Sequence, residues 1–171
     1  MEQKYIITEI KNYENVSERI HLSLHYLENN ADPALFFMPY FEGYLYGIPR
    51  YEHSEWDACD AGWRMIEAFI LARQVIGQKE PTEQEKRLRK FVLSTIREDG
   101  LSYRPELEWC KPEAFMWDHG RALIALATWL IFEPSDEIKR IAVNMIEGLV
   151  KIALKDDNML YYPAENWDGQ C

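Results

Sequence analysis

The chain has 171 residues, 47% of them hydrophobic and 28% charged, which is enough for one globular domain with its own core and too apolar for a disordered chain. Its formal net charge of -10, with no Lys/Arg-rich stripe, would repel a polyanion and excludes nucleic acid as a partner. No apolar run reaches the roughly 18 residues that cross a bilayer, so no membrane partner is expected. The start Met1-Glu2-Gln3-Lys4-Tyr5 lacks the features of a secretory signal and reads as cytoplasmic.

Five helices follow in chain order. Residues 15–27 set Val16, Ile20, Leu24 and Leu27 on one stripe, the pattern of a helix wet on its other side. Residues 63–76 are apolar nearly all round. The third helix opens after Pro81 with the capping box Thr82-Glu83-Gln84-Glu85 and runs to about Arg97 with Leu88, Phe91, Val92 and Ile96 inward. Residues 122–132 form a fourth segment without a charge, and the fifth begins at the N-cap Ser135 with Ile138, Ile141, Met145, Leu149 and Ile152 on one face. Amphipathic helices thus alternate with apolar ones, which predicts an all-α fold of outer and inner helices.

The connections repeat with a period of about 60 residues. An aromatic-X-Pro triplet occurs at Phe37-Met38-Pro39, Tyr103-Arg104-Pro105 and Tyr161-Tyr162-Pro163, and a Trp-Asp pair follows at Trp56-Asp57, Trp117-Asp118 and Trp167-Asp168. Asp60-Ala61-Gly62 and Asp118-His119-Gly120 open the two apolar helices, with Arg64 and Arg121 close behind. The third unit reaches Trp167-Asp168-Gly169 where a further inner helix is expected. Residues 1–171 therefore read as a single α/α-hairpin repeat domain of about two and a half hairpins, the N-terminal part of a larger array. Such an array leaves an apolar flank on the hairpin of Ile138, Met145 and Leu149, through which copies of the chain are expected to associate.

The segments His53-Ser54-Glu55-Trp56-Asp57-Ala58-Cys59-Asp60-Ala61-Gly62-Trp63-Arg64 and Phe115-Met116-Trp117-Asp118-His119-Gly120-Arg121-Ala122-Leu123 resemble the six-hairpin glycosidase superfamily. The resemblance covers about residues 30–171. It implies an incomplete α/α toroid with the substrate groove at the N-terminal ends of the inner helices, and an activity like that of a glycoside hydrolase. Related toroids include epimerases, lyases and terpenoid cyclases, and a non-catalytic helical repeat that binds protein is the alternative outside enzymes.

Sugar hydrolysis commonly needs two carboxylates, roughly 5 to 9.5 Å apart. Asp60 and Asp118 are the catalytic candidates, although Asp is also an ordinary helix N-cap. Glu55, Trp56, Asp57, Arg64, Tyr103, Trp117, His119, Arg121, Trp167 and Asp168 are candidate substrate-binding residues. The charged side chains among them hold hydroxyls, the aromatic rings stack on sugar faces, and His119 titrates near neutrality. Salt bridges from Arg64 to Asp60 and from Arg121 to Asp118 are the structural alternative. The expected ligand is carbohydrate or another small molecule, with no cofactor. No metal is assigned: His21 and His25 are spaced i, i+4 but lack a third ligand motif, and Cys59, Cys110 and Cys171 show no Cys-X-X-Cys spacing. Some toroidal glycosidases use a cysteine-bound zinc, which is the only argument for one here. The odd number of cysteines reads as reduced thiols.

Overall fold

The computed structural model describes residues 16–162. The chain runs α1 (Val16–Asn29), β1 (Ala31–Asp32), a 3-10 turn (Pro33–Leu35), β2 (Met38–Pro39), β3 (Glu42–Tyr44), β4 (Arg50–Glu52), a π turn (Asp57–Ala61), α2 (Gly62–Ile76), α3 (Glu83–Ser94), α4 (Met116–Phe132), α5 (Asp136–Ile152), β5 (Leu154–Asp156) and β6 (Met159–Tyr161). Of the described residues 56% are helical, and the strands pair as three antiparallel two-stranded sheets, β1 with β2, β3 with β4 and β5 with β6.

This corrects the all-α expectation: the fold is mixed, and it is not plainly an all-α toroid of helical hairpins. The sheets fall in segments that pattern alone reads as loops. Their strands are two or three residues long, too short to show the alternation that marks a strand. What the sequence does carry there is turn chemistry. Gly47 has φ +75° between β3 and β4, and Asp157-Asn158 joins β5 to β6. The first two aromatic-X-Pro triplets sit on the return arms of similar reversals: Met38 and Pro39 pair back to β1, and Ser102, just before Tyr103, bridges to Ile96.

The helix starts agree with their caps. Thr82 Oγ1 accepts from the Glu85 backbone N–H and Ser135 Oγ from that of Ile138. The third helix ends at Ser94 instead of about Arg97, because the Thr95 hydroxyl turns back to the Val92 carbonyl and Ile96 leaves to pair with Ser102.

Helix α2 is the centre of the core, packed against α1, α3 and α4, and α5 packs on α4. Trp63, Ile66, Phe69, Ile70, Leu88, Val92, Leu126 and Met145 form the buried middle. Helix α4 is less enclosed than its composition suggests, since Trp117, Ile124, Ile131 and Phe132 reach solvent. The expected apolar flank also lies elsewhere: Ile138 and Met145 are buried, and α5 exposes Val143, Ile146 and Val150 instead.

Two polar links fix the relative direction of α2 and α4. At their beginnings Asp60 meets Trp117 and Arg121, and at their ends Arg73 meets Glu133. The helices therefore lie side by side and parallel, with both N-termini on one face. The far end is held by Arg73, Glu85, Arg89 and Glu133. Arg73 donates to both Glu85 oxygens at 2.9 and 3.0 Å and also contacts Glu133, while Arg89 donates to Glu133 at 2.6 and 2.9 Å and packs over the Trp129 ring. Two positive and two negative side chains alternate there, so each charge taken out of water has an opposite neighbour.

Candidate functional site

The face formed by the beginnings of α2 and α4 collects most of the candidate residues. The segment before α2 is wound as the π turn by Asp57, which is fully buried. Its Oδ1 accepts from the Phe41 backbone N–H at 2.7 Å, and its Oδ2 accepts from that of Ser54 at 2.9 Å and pairs with His53 Nδ1 at 2.7 Å. His53 Nε2 reaches Asp32 at 3.2 Å, and its ring stacks between Tyr40 and Trp109. Burial pushes the Asp57 carboxyl above its usual range despite the hydrogen bonds from Ser54, His53 and Phe41. Asp57 thus pins the β-hairpins to the start of α2 and has no oxygen left for a ligand.

Asp60 lies one turn further on and is 2% exposed. Its Oδ1 takes three contacts, from Arg64 Nε at 3.0 Å, Trp117 Nε1 at 3.2 Å and Arg121 Nε at 3.5 Å. Its Oδ2 accepts no hydrogen bond from the described residues. The expected Arg64 to Asp60 pair is present, whereas Arg121 turns to Asp60 and not to Asp118, because Asp118 already belongs to Arg104.

Asp118 is wholly buried. Arg104 Nε donates to its Oδ2 at 2.8 Å and Arg104 Nη2 reaches Oδ1 at 3.4 Å, while Nη1 holds Glu55 at 3.1 Å. The guanidinium also lies over the Trp56 and Phe115 rings. Burial works against both charges; at Asp118 it outweighs the Arg104 bond and pushes the carboxyl up, with the charges of Asp60 and Glu55 adding to the shift. Asp118 and Glu55 thus share one guanidinium, with Asp118 the inward of the two. Neither Asp60 nor Asp118 caps a helix: the N-cap positions are Ala61 and Phe115, without side-chain bonds.

His119 is buried and neutral. The Ser102 backbone N–H donates to its Nε2 at 3.0 Å, so the ring proton sits on Nδ1 and is donated to the Phe115 carbonyl at 2.9 Å. Burial lowers its pKa. It ties the 96–102 reversal to α4 and has no path to a ligand. Tyr103 is withdrawn as well, packed with Leu101 and Ala114 and donating its hydroxyl to Asp99 at 2.8 Å. Cys59 and Cys110 are buried thiols with separate partners, Ser102 for the first and the Glu55 carbonyl for the second, and burial raises their pKa values to about 12 and about 11. Neither is a thiolate at neutral pH. His21 and His25 are exposed on α1, with His25 beside Asn29. Trp167 and Asp168 lie outside the described residues.

The accessible part of this face is a groove of about 280 Å³ lined by Met116, Trp117, Gly120, Arg121 and Ile124. Trp117 is 56% exposed, with its indole N–H fixed on Asp60 and the Arg121 guanidinium 5.3 Å from its ring centre. A Cβ built on Gly120 meets nothing within 4 Å, so the glycine leaves the groove open beside the ring. On the other side of Asp60, Arg64 borders a second groove of about 270 Å³ with Leu27, Asn30, Tyr40, Phe41 and Met65.

Arg104 and His53 are the residues that sequence reasoning passed over. Each was visible as a charged or titratable residue inside a repeated segment, but what each does depends on contacts made 14 and 21 residues away along the chain. No protein-family model, curated protein or solved structure matches the chain. Among the described residues no helix is long and apolar enough to cross a membrane.

Proposed function

We propose that the chain is a carbohydrate-active protein, glycoside hydrolase-like in its groove, in which Trp117 stacks on a sugar ring, Arg121 holds its hydroxyls and Asp60 fixes both side chains from behind. One observation carries this reading: a solvent-facing indole locked in orientation by a hydrogen bond to a carboxylate, with a guanidinium at its edge and glycine beside it. A sugar presents an apolar face of C–H groups and a rim of hydroxyls, and a flat ring with a guanidinium donor at its edge matches both. Asp60, 2% exposed and outside the groove lining, orients the ring and the guanidinium from behind.

The same geometry redistributes the chemical roles. Asp118 holds Arg104 and thereby Glu55, which makes it a positioning residue. Glu55, with its side chain 51% exposed, is the carboxylate of this cluster that can meet a ligand.

The test is binding and reducing-sugar release across a panel of oligosaccharides, with Trp117→Ala and Glu55→Gln beside the parent protein. The reading expects binding lost in Trp117→Ala, and release lost with binding kept in Glu55→Gln. A panel without any binder, or binding indifferent to Trp117, contradicts it.

A further inference from the structure

Helix α5 carries two apolar stripes, and only one of them is used. Ile138, Ile141, Met145, Leu149 and Ile152 face the protein, with Ile138 and Met145 fully enclosed. On the outward side Val143, Ile146 and Val150 are 44%, 50% and 47% exposed, and with Lys139 they recur at intervals of four, three and four residues. That is the spacing of a two-helix seam, not of a helix meant to face water. Arg140 and Glu147 border this seam one heptad apart on the same side, and neither has an ion-pair partner among the described residues.

We propose that the outer face of α5 docks on the same face of a second copy of the chain, antiparallel about a two-fold axis near Asn144. The arrangement of charges selects both occupant and direction. Antiparallel self-pairing sets Val143 against Ile146 and Lys139 against Val150, and brings Arg140 of each copy to Glu147 of the other, so the pair forms twice. Parallel pairing would set these charges on opposite sides of the seam, Arg140 facing Ser135 and Glu147 facing Ala142 of the other copy, so neither would find a partner. Glu137 and Lys151, further out, repeat the same complementarity. The lysine stem can cover Val150 while its ammonium stays in water. With only three apolar side chains per copy at its centre, the contact is small and the dimer concentration-dependent. None of the residues lining the Trp117 groove takes part, so the proposal stands apart from the carbohydrate reading.

Sedimentation equilibrium of the whole chain across a wide concentration range tests it. The parent protein should show a reversible monomer-dimer equilibrium, and Ile146→Glu should abolish the dimer; because Ile146 is half in solvent, that change leaves the core untouched. Arg140→Glu and Glu147→Arg should each weaken the dimer roughly tenfold by opposing like charges, and the double variant should return to within a few-fold of the parent. A parent protein that stays monomeric, a dimer indifferent to Ile146→Glu, or charge reversals that worsen each other in the double variant would overturn it.

Discussion

Arg104 Nε stands 2.8 Å from Oδ2 of Asp118, with both side chains closed off from solvent, and the other end of the same guanidinium holds Glu55 at the surface. A buried charge pair of this kind links the loop before α4 to α4 itself, and carries the position of a deep carboxylate out to a shallow one.

Removing one member should therefore cost far more than a surface bridge. Arg104→Leu leaves Asp118 charged and unpaired in the interior, an effect of about 3–5 kcal/mol, read by urea denaturation. Asp118→Asn should also destabilise, since the carboxylate is an ion-pair partner and not a replaceable cap. A wild-type denaturation midpoint in either variant would remove the anchoring role assigned to the pair.

Gly120 offers a separation of stability from binding. Its helical position has open space where a Cβ would go, so Gly120→Leu should stabilise the helix by about 0.5–1 kcal/mol through its better propensity. The same side chain would fill the groove beside Trp117 and block a ligand there. A variant that melts higher yet binds glycan as the parent does would show that the groove is not the site.

How far the sequence was legible follows from which interactions are local. The caps Thr82 and Ser135 act within three residues, and both stand where the pattern put them. The Asp60 to Arg64 pair spans four residues and was foreseen, whereas Asp118 to Arg104 spans fourteen and was not. Hydropathy put most of α2 in the core, but it could not tell that Leu71 and Val75 of α2, or Trp117, Ile124 and Ile131 of α4, would stay in solvent, because composition does not reveal which neighbours are present. The strands failed for lack of length: Ala31–Asp32 and Met38–Pro39 offer no period to read.

Two glycines set how closely the 96–102 reversal rests on α5. A Cβ on Gly100, at φ +83°, would lie 2.3 Å from the Asn144 carbonyl oxygen, and one on Gly148 would lie 2.4 Å from that of Asp99. Gly148→Ala should cost about 1–3 kcal/mol by forcing these backbones apart, and Gly100→Ala more, because its left-handed conformation adds strain. Gly77 is the control: it too has positive φ but meets nothing, so Gly77→Ala should lose only about 1 kcal/mol. Equal losses at Gly100 and Gly77 with none at Gly148, measured by thermal denaturation, would mean that conformation alone and not contact governs them.

His119 sets a pH dependence whose sign is fixed by its bonds. Its pKa in the folded chain lies below the ordinary value of 6.5, through burial, with the Phe115 bond opposing. The unfolded chain therefore takes up the proton first as pH falls. The contribution of His119 to stability is complete above about pH 6.5 and is lost as pH drops through that value towards the lower folded one. His119→Gln, which keeps an acceptor for Ser102 and cannot titrate, should flatten the stability profile on the acid side of 6.5. A profile with the same slope in both proteins would assign the dependence to other groups.

The central claim is that Trp117, held in orientation by Asp60, forms a sugar-binding surface. Calorimetric titration of the parent protein, Trp117→Phe, Trp117→Ala and Asp60→Asn with oligosaccharides that bind the parent tests it most directly. The account predicts weakened binding in Trp117→Phe, which keeps a stacking ring but loses the N–H that orients it, and none in Trp117→Ala. Asp60→Asn should lose affinity while the stability readout shows the chain still folded. Binding of equal strength in all four proteins would contradict the account.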